Sequence, residues 1–159
     1  LAQCGMMEGR HVSWLPSYGP EMRGGTAHCH VSIADHEIGS PLISKPTALV
    51  AMNQPSLDKF EGEMAEGALV IVNSSMVPNK PKRKDLEVLE LPATEIAEKL
   101  GNARAANMVV LGAYAGYSGM LTLETCIESL GTLIKRSALV ELNEKAVKEG
   151  YEFAKKARG

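Results

Sequence analysis

Arg23 is the side chain best suited to holding a ligand, because its guanidinium is a planar fork that matches phosphate or carboxylate. It stands in Ser17-Tyr-Gly-Pro-Glu-Met-Arg-Gly-Gly25, a stretch dense in turn-forming residues. There Gly24 and Gly25 let the backbone come close to a partner and adopt positive φ. The same loop reads equally well as a tight connection in which Arg23 pairs with Glu21 or Asp35. His28 and His30 share one face of a strand pattern, with Cys29 opposite. Metal binding would need a third ligand, only His11 and His36 remain as histidines, and no metal site is assigned. Lys80-Pro-Lys-Arg-Lys84 suits an acidic partner or a nucleotide phosphate, although a solvated loop between strands is the favoured reading. Asn107 lies in an apolar helical run and reads as a satisfied buried amide or an interface group.

What the chain lacks also constrains it. There is no complete G-x-G-x-x-G, no P-loop, no G-x-S-x-G and no Ser–His–Asp or Cys–His pattern. No catalytic residue is assigned, and a subunit or binding module is favoured over a free-standing catalyst.

The elements that must position these residues follow from periodicity. The opening Leu1–Gly9 reads as the last turns of a helix ending at glycine. His11–Leu15 alternates as a strand that Pro16 stops, and Thr26–Ala34 alternates with Ala27, Cys29, Val31 and Ile33 on one face. Asp35-His36 reads as a hairpin turn into a short strand, Glu37–Gly39. Thr47–Met52 and Ala68–Val72 are continuously apolar, as strands buried on both faces are. A short helix pattern, Ser56–Met64, separates them, and Leu86–Leu91 forms a further strand. Pro92-Ala-Thr-Glu95 opens a helix that closes at Gly101-Asn102. Two apolar stripes follow, one through Leu123, Cys126, Ile127, Leu130, Leu133 and Ile134, the other through Leu139, Leu142, Ala146, Val147, Gly150 and Phe153. Gly112 and Gly116, four apart on an almost wholly apolar helix, predict a central helix packed close to a neighbour.

Short apolar strands alternating with helices define an α/β domain with a largely parallel sheet, made mixed by the antiparallel Thr26–Gly39 hairpin, and a helical C-terminal part. The 159 residues make one domain, 1–159. In open α/β sheets ligands bind beyond the carboxyl ends of the strands. Those ends carry Pro16-Ser-Tyr-Gly-Pro-Glu-Met-Arg-Gly-Gly25, Asn53-Gln-Pro-Ser, Asn73-Ser-Ser and Pro92-Ala-Thr, each with small or hydrogen-bonding residues, which locates a candidate site along one edge of the sheet.

Composition adds the class. The chain is 45% apolar and 4% aromatic with 8 Met, so the core is aliphatic with Met as filler. A net charge of −2 with both signs interspersed does not favour nucleic acid. Cys4, Cys29 and Cys126 are odd in number and form no C-x-x-C, which argues against an iron–sulfur or zinc site built by this chain alone and points to a reducing, cytoplasmic setting. The longest apolar stretch, Ala105–Met120, falls short of a bilayer span and no signal peptide is visible.

Motifs along nearly the whole chain resemble the gamma subunit of 2-oxoacid:ferredoxin oxidoreductases. They are Trp14-Leu-Pro-Ser-Tyr-Gly-Pro-Glu-Met-Arg-Gly-Gly-Thr-Ala27, Ile38-Gly-Ser-Pro41, Ala51-Met-Asn-Gln-Pro-Ser-Leu-Asp-Lys-Phe60 and Asn73-Ser-Ser75. Pro92-Ala-Thr-Glu-Ile-Ala97, Asn102-Ala-Arg-Ala-Ala-Asn-Met108 and Glu141-Leu-Asn-Glu-Lys-Ala146 continue the series in the family's order. The resemblance implies a three-layer α/β/α Rossmann-like domain equivalent to the gamma domain of pyruvate:ferredoxin oxidoreductase. It implies a subunit, inactive alone, of a complex that converts a 2-oxoacid, coenzyme A and oxidised ferredoxin to acyl-CoA, CO₂ and reduced ferredoxin in anaerobic metabolism. Thiamine diphosphate and iron–sulfur clusters would sit on alpha and beta subunits, with a delta subunit where one exists, and this chain would help hold coenzyme A. Its wording is closer to the 2-oxoglutarate and ketoisovalerate type than to the pyruvate type.

Carried over, the resemblance makes Tyr18, Gly19, Arg23, Gly24, Gly25, Asn53, Asn73, Ser74 and Thr94 the positions facing the cofactor or a partner subunit. The family begins with a strand and a Gly-rich turn that would precede Leu1, so a missing upstream segment is expected. Two other readings compete: a free-standing Rossmann-like nucleotide-binding module, and a purely architectural subunit that touches no cofactor.

Overall fold

The structure is a computed structural model and describes residues 1–17, 27–134 and 137–159, with the side chains of residues 137 and 138 left aside. The chain opens with a short helix α1 (Ala2–Met7), which Gly9 ends with φ +73°. Strands β1 (His11–Ser17) and β2 (His28–Ala34) then form a two-stranded antiparallel hairpin. Strand β3 (Ala48–Ala51), helix α2 (Gln54–Phe60), strand β4 (Leu69–Asn73) and strand β5 (Glu87–Leu91) follow. The rest is helical: α3 (Ala93–Lys99), α4 (Ala106–Ser118), α5 (Leu123–Leu133) and α6 (Ser137–Arg158).

β3, β4 and β5 pair in that order, all parallel, with Val50 opposite Ile71 and Ile71 opposite Leu89. Successive residues of β4 point to opposite faces, so the strand is buried on both. Val70 and Val72 meet Leu57 of α2 on one face, while Leu69 and Ile71 meet the larger core of α3, α4, α5 and α6 on the other. Helices on both faces of a parallel sheet give the three-layer α/β/α, Rossmann-like arrangement expected from the run of unalternating apolar strands.

α4 is apolar nearly all round, and buries Val109, Val110, Gly112, Ala113 and Ala115. Its glycines have the function their spacing predicts. A Cβ on Gly112 would lie 1.9 Å from the Val147 carbonyl oxygen of α6, and one on Gly116 would lie 2.7 Å from that of Tyr151. The contact is reciprocal, because a Cβ on Gly150 of α6 would lie 1.8 Å from the Val109 carbonyl oxygen. The two helices therefore cross backbone to backbone.

Three local features differ from the sequence reading. Pro16 lies inside β1, paired with Cys29, instead of ending the strand; a two-stranded ribbon has an outward edge where its missing N–H costs nothing. The antiparallel partner of β2 is β1, and residues 35–47 are irregular, so Glu37–Gly39 adds no strand. Asp35 ends β2 instead as the ion-pair partner of Arg10, at 3.6 Å. Asn107 is exposed, because the first turn of α4 lifts it off the core.

Candidate functional site

The candidate site is built on the carboxyl ends of the three parallel strands. At the end of β3, Asn53 adopts extended backbone and its Oδ1 accepts from the Ser56 N–H at 3.0 Å, capping α2, with Pro55 in the first turn where no hydrogen bond is lost. Gln54 bridges onward: its Oε1 accepts from the Asn79 N–H at 2.9 Å, and its Nε2 donates to Asp58 at 2.9 Å. The end of β3 is thus stitched to the loop that leaves β4.

At the end of β4, Asn73 is 1% exposed and its amide would be costly to bury unpaired. Both ends of that amide are met by one residue. Nδ2 donates to Thr94 Oγ1 at 2.9 Å, and Oδ1 accepts from the Thr94 N–H at 3.3 Å. The Ser74 N–H donates to the Leu91 carbonyl at 2.9 Å, extending the β4–β5 ladder one step, and the Glu95 N–H donates to Ser75 Oγ at 3.4 Å. Ser74 and Asn53 are exposed at this edge, and Thr94 is half-buried.

The structure therefore brings Asn73, Ser74 and Thr94 together and leaves Asn53 at the neighbouring strand end. Tyr18, Gly19, Arg23, Gly24 and Gly25 lie outside the described residues. The flanking strands are described, and Ser17 at the end of β1 pairs with His28 at the start of β2.

His28 and His30 do share a face, with ring centroids 5.7 Å apart, and His28 packs on Phe60 of α2 at 4.7 Å. Their Nδ1 atoms are buried without a hydrogen-bond partner. Burial first, then the nearby Lys59 and His30 charges, holds the His28 imidazole below its ordinary value near 6.5. Among the described residues no three His, Cys, Asp or Glu side chains converge to hold a metal.

The basic run has a structural use that sequence reasoning missed. Arg83 Nη1 donates to the Glu61 and Met64 carbonyls at 3.2 and 2.7 Å, and its guanidinium pairs with Asp85. The hydrogen bond to Asp85 raises Arg83 above its already high value and lowers the Asp85 carboxyl. Lys80 pairs with Glu90 at 2.6 Å. The only signal for this pairing in the sequence is the single carboxylate, Asp85, that closes the basic run Lys82-Arg-Lys84.

A doubly covered parallel sheet defines a Rossmann-like domain, and the hydrogen-bonding residues gathered at its strand ends mark the candidate site. The chain belongs to the pyruvate ferredoxin/flavodoxin oxidoreductase family, whose model matches residues 1–153. It is 40% identical over 159 residues to the ketoisovalerate oxidoreductase subunit VorA of Methanothermobacter marburgensis, covering 98% of this chain and 33% of that protein. It is 33% identical over 141 residues to the 2-oxoglutarate synthase subunit KorC of Methanocaldococcus jannaschii, covering 87% and 75%. The chain thus spans about a third of the length of the VorA relatives that it matches. Its fold is similar to the crystal structure of the keto/oxoacid ferredoxin oxidoreductase gamma subunit from Geobacter sulfurreducens, with a TM-score of 0.81, 29% identity, and 96% and 85% of the two chains covered. Among the described residues no helix is long and apolar enough to cross a membrane.

Proposed function

We propose that this chain is the gamma-type component of a 2-oxoacid:ferredoxin oxidoreductase, which oxidatively decarboxylates a 2-oxoacid with coenzyme A to acyl-CoA, CO₂ and reduced ferredoxin. The observation that carries the reading is the family match over residues 1–153, together with 40% identity to a ketoisovalerate oxidoreductase subunit across nearly the whole chain. The chain supplies position and not chemistry. The strand-end edge with Asn53, Asn73, Ser74 and Thr94, and the Tyr18–Gly25 loop with Gly19, Arg23 and Gly24, face coenzyme A or a partner component. Arg23 would meet a phosphate of coenzyme A as a bidentate fork.

One feature of the surface supports a role inside an assembly. Trp14 is 57% exposed and lies on the same hairpin face as Val31, its cross-strand partner. A large aromatic on such a face is the kind of residue that anchors an interface. The cysteines do not suit an iron–sulfur cluster, because Cys4 and Cys126 are buried in the core and Cys29 is exposed on β2. On this reading thiamine diphosphate and the clusters belong to alpha- and beta-type components, or to the remainder of a longer chain, and ferredoxin docks through them.

Identity is higher to the ketoisovalerate protein than to the 2-oxoglutarate protein, so a branched 2-oxoacid is the first substrate to test. The test is purification of the intact assembly from its own host under anaerobic conditions, followed by coenzyme A-dependent dye reduction with ketoisovalerate, 2-oxoglutarate and pyruvate. Arg23→Ala in that assembly is expected to raise the KM for coenzyme A at least severalfold or to weaken assembly. Unchanged KM and unchanged assembly would remove Arg23 from the site. A chain that purifies without partners, iron or 2-oxoacid-dependent activity would overturn the proposal as a whole.

A further inference from the structure

We propose that the trough between α3 and α6 is a docking surface that takes one amphipathic helix of a partner component. The inference rests on the proposed place of this chain in an assembly, and it adds which face meets a partner and what that partner presents.

The trough is made by two helical stripes that face each other. Ile96, Lys99 and Leu100 recur at three- and four-residue spacing on α3, and Glu149, Glu152, Phe153 and Lys156 do so on α6. With Pro92 they line a hollow of about 440 Å³. The opposite face of α6 is already occupied, because Val147 and Gly150 lie against the backbone of α4. Ile96, Leu100 and Phe153 pack on the core from outside and stay half-buried, so they form an apolar floor that the chain itself leaves open.

The rims carry charge that the chain does not pair. Elsewhere on α6, Glu141 pairs with Lys145 at 2.8 Å and Glu144 with Lys148 at 2.5 Å, each one turn apart. Glu152 and Lys156 have the same order and spacing, yet among the described residues they form no ion pair, and neither do Glu149 or Lys99. Carboxylates and ammonium groups thus border one apolar floor without meeting each other. The pattern is complementary to a segment with apolar residues along its centre, basic residues towards Glu149 and Glu152, and acidic residues towards Lys99 and Lys156.

The walls decide the conformation of that segment. Both are helices, whose interior N–H and C=O groups are bonded within each helix. An extended strand would find no backbone partner between them, whereas a helix brings its own backbone bonds already made. A small molecule would have walls on two sides only and stay largely in water, unlike a ligand in an enclosing pocket. The trough reaches Pro92, two residues before Thr94, so this surface is continuous with the strand-end edge.

The experiment uses the assembly purified anaerobically, with benzoylphenylalanine replacing Phe153 or, in a second preparation, Lys99, irradiated and mapped by peptide mass. The expected result is cross-links from both positions to one segment of a partner component, at residues three or four apart. Phe153→Ala should lower the amount of partner retained on the tagged chain about tenfold. Lys99→Glu combined with Lys156→Glu changes only exposed side chains, so it tests the same surface should Phe153→Ala fail to fold. It should lower retention about threefold, with the larger effect at low salt, while Lys155→Glu, which does not line the trough, leaves retention unchanged. An active assembly in which neither position cross-links to a partner component would overturn this inference and leave the proposed function standing. Cross-links between two copies of this chain, or to partner residues spaced by two, would overturn it as well. A chain that purifies without partners would overturn both.

Discussion

Asn73 and Thr94 hold each other from both sides: the asparagine amide donates to the threonine hydroxyl at 2.9 Å and accepts from the threonine N–H at 3.3 Å. This pair joins the carboxyl end of β4 to the start of α3, where Pro92 is the N-cap residue and no side chain caps the helix. It frames the edge on which the candidate site lies.

Thr94→Val removes the hydroxyl and keeps the size, leaving the Asn73 Nδ2 group buried without an acceptor. The expected loss is about 1–3 kcal/mol of unfolding free energy, whereas Thr94→Ser should cost well under about 1 kcal/mol. Urea unfolding of the two variants checks this. Equal midpoints would show that water replaces the hydroxyl.

The α4–α6 crossing makes a sharper distinction among glycines. Gly112→Ala and Gly150→Ala each place a methyl within 2 Å of a backbone carbonyl oxygen, at 1.9 and 1.8 Å, so the helices must separate. We expect a loss of more than about 3 kcal/mol, seen as insoluble or unfolded protein. Gly131→Ala serves as the control, because nothing lies within 4 Å of its Cβ position on α5. There the gain should be about 0.4–1 kcal/mol from a stiffer unfolded chain.

Lowering pH should loosen the hairpin from α2. The folded value of His28 lies below its ordinary value near 6.5, from burial first and then from the Lys59 and His30 charges, with Glu63 acting in the opposite sense. The unfolded chain then binds the proton more readily. Stability is full above about pH 6.5 and falls as pH drops towards the lowered folded value. The effect should stay below about 1 kcal/mol, since the ring is only half-buried and its charged neighbours are solvated. His28→Phe keeps the packing on Phe60 and should flatten thermal unfolding between pH 7 and pH 5. A slope unchanged by that substitution would assign the dependence to other groups.

Much of this was legible in the chain. β4 reads as a strand buried on both faces because the five consecutive apolar residues Ala68–Val72 need two covering layers, and the layers are there. The Gly112 and Gly116 spacing announced a close helix neighbour, although periodicity could not say that Gly150 on α6 answers it. Other features were out of reach for physical reasons. That the hairpin and the parallel sheet form two ladders depends on pairings between distant segments, which no local pattern encodes. Pro16 was read as a stop because its missing N–H matters only when a neighbour needs it. Asn73 and Thr94 were picked as strand-end polar residues, and only their position in space shows that they satisfy each other. The hydrogen bond from Cys4 to Ser129 joins segments far apart in the chain, and no local pattern encodes it.

The two ladders also divide the molecule's cooperativity. Among the described residues no backbone hydrogen bond links β1–β2 to β3–β4–β5, so the two report on each other only through side chains, chiefly α1 against Val12 and Ile33 and His28 against Phe60. The amides of β4 are sealed by ladders on both sides and can open only when the domain does. Those of the hairpin have a cheaper route, a brief excursion that leaves the larger core closed.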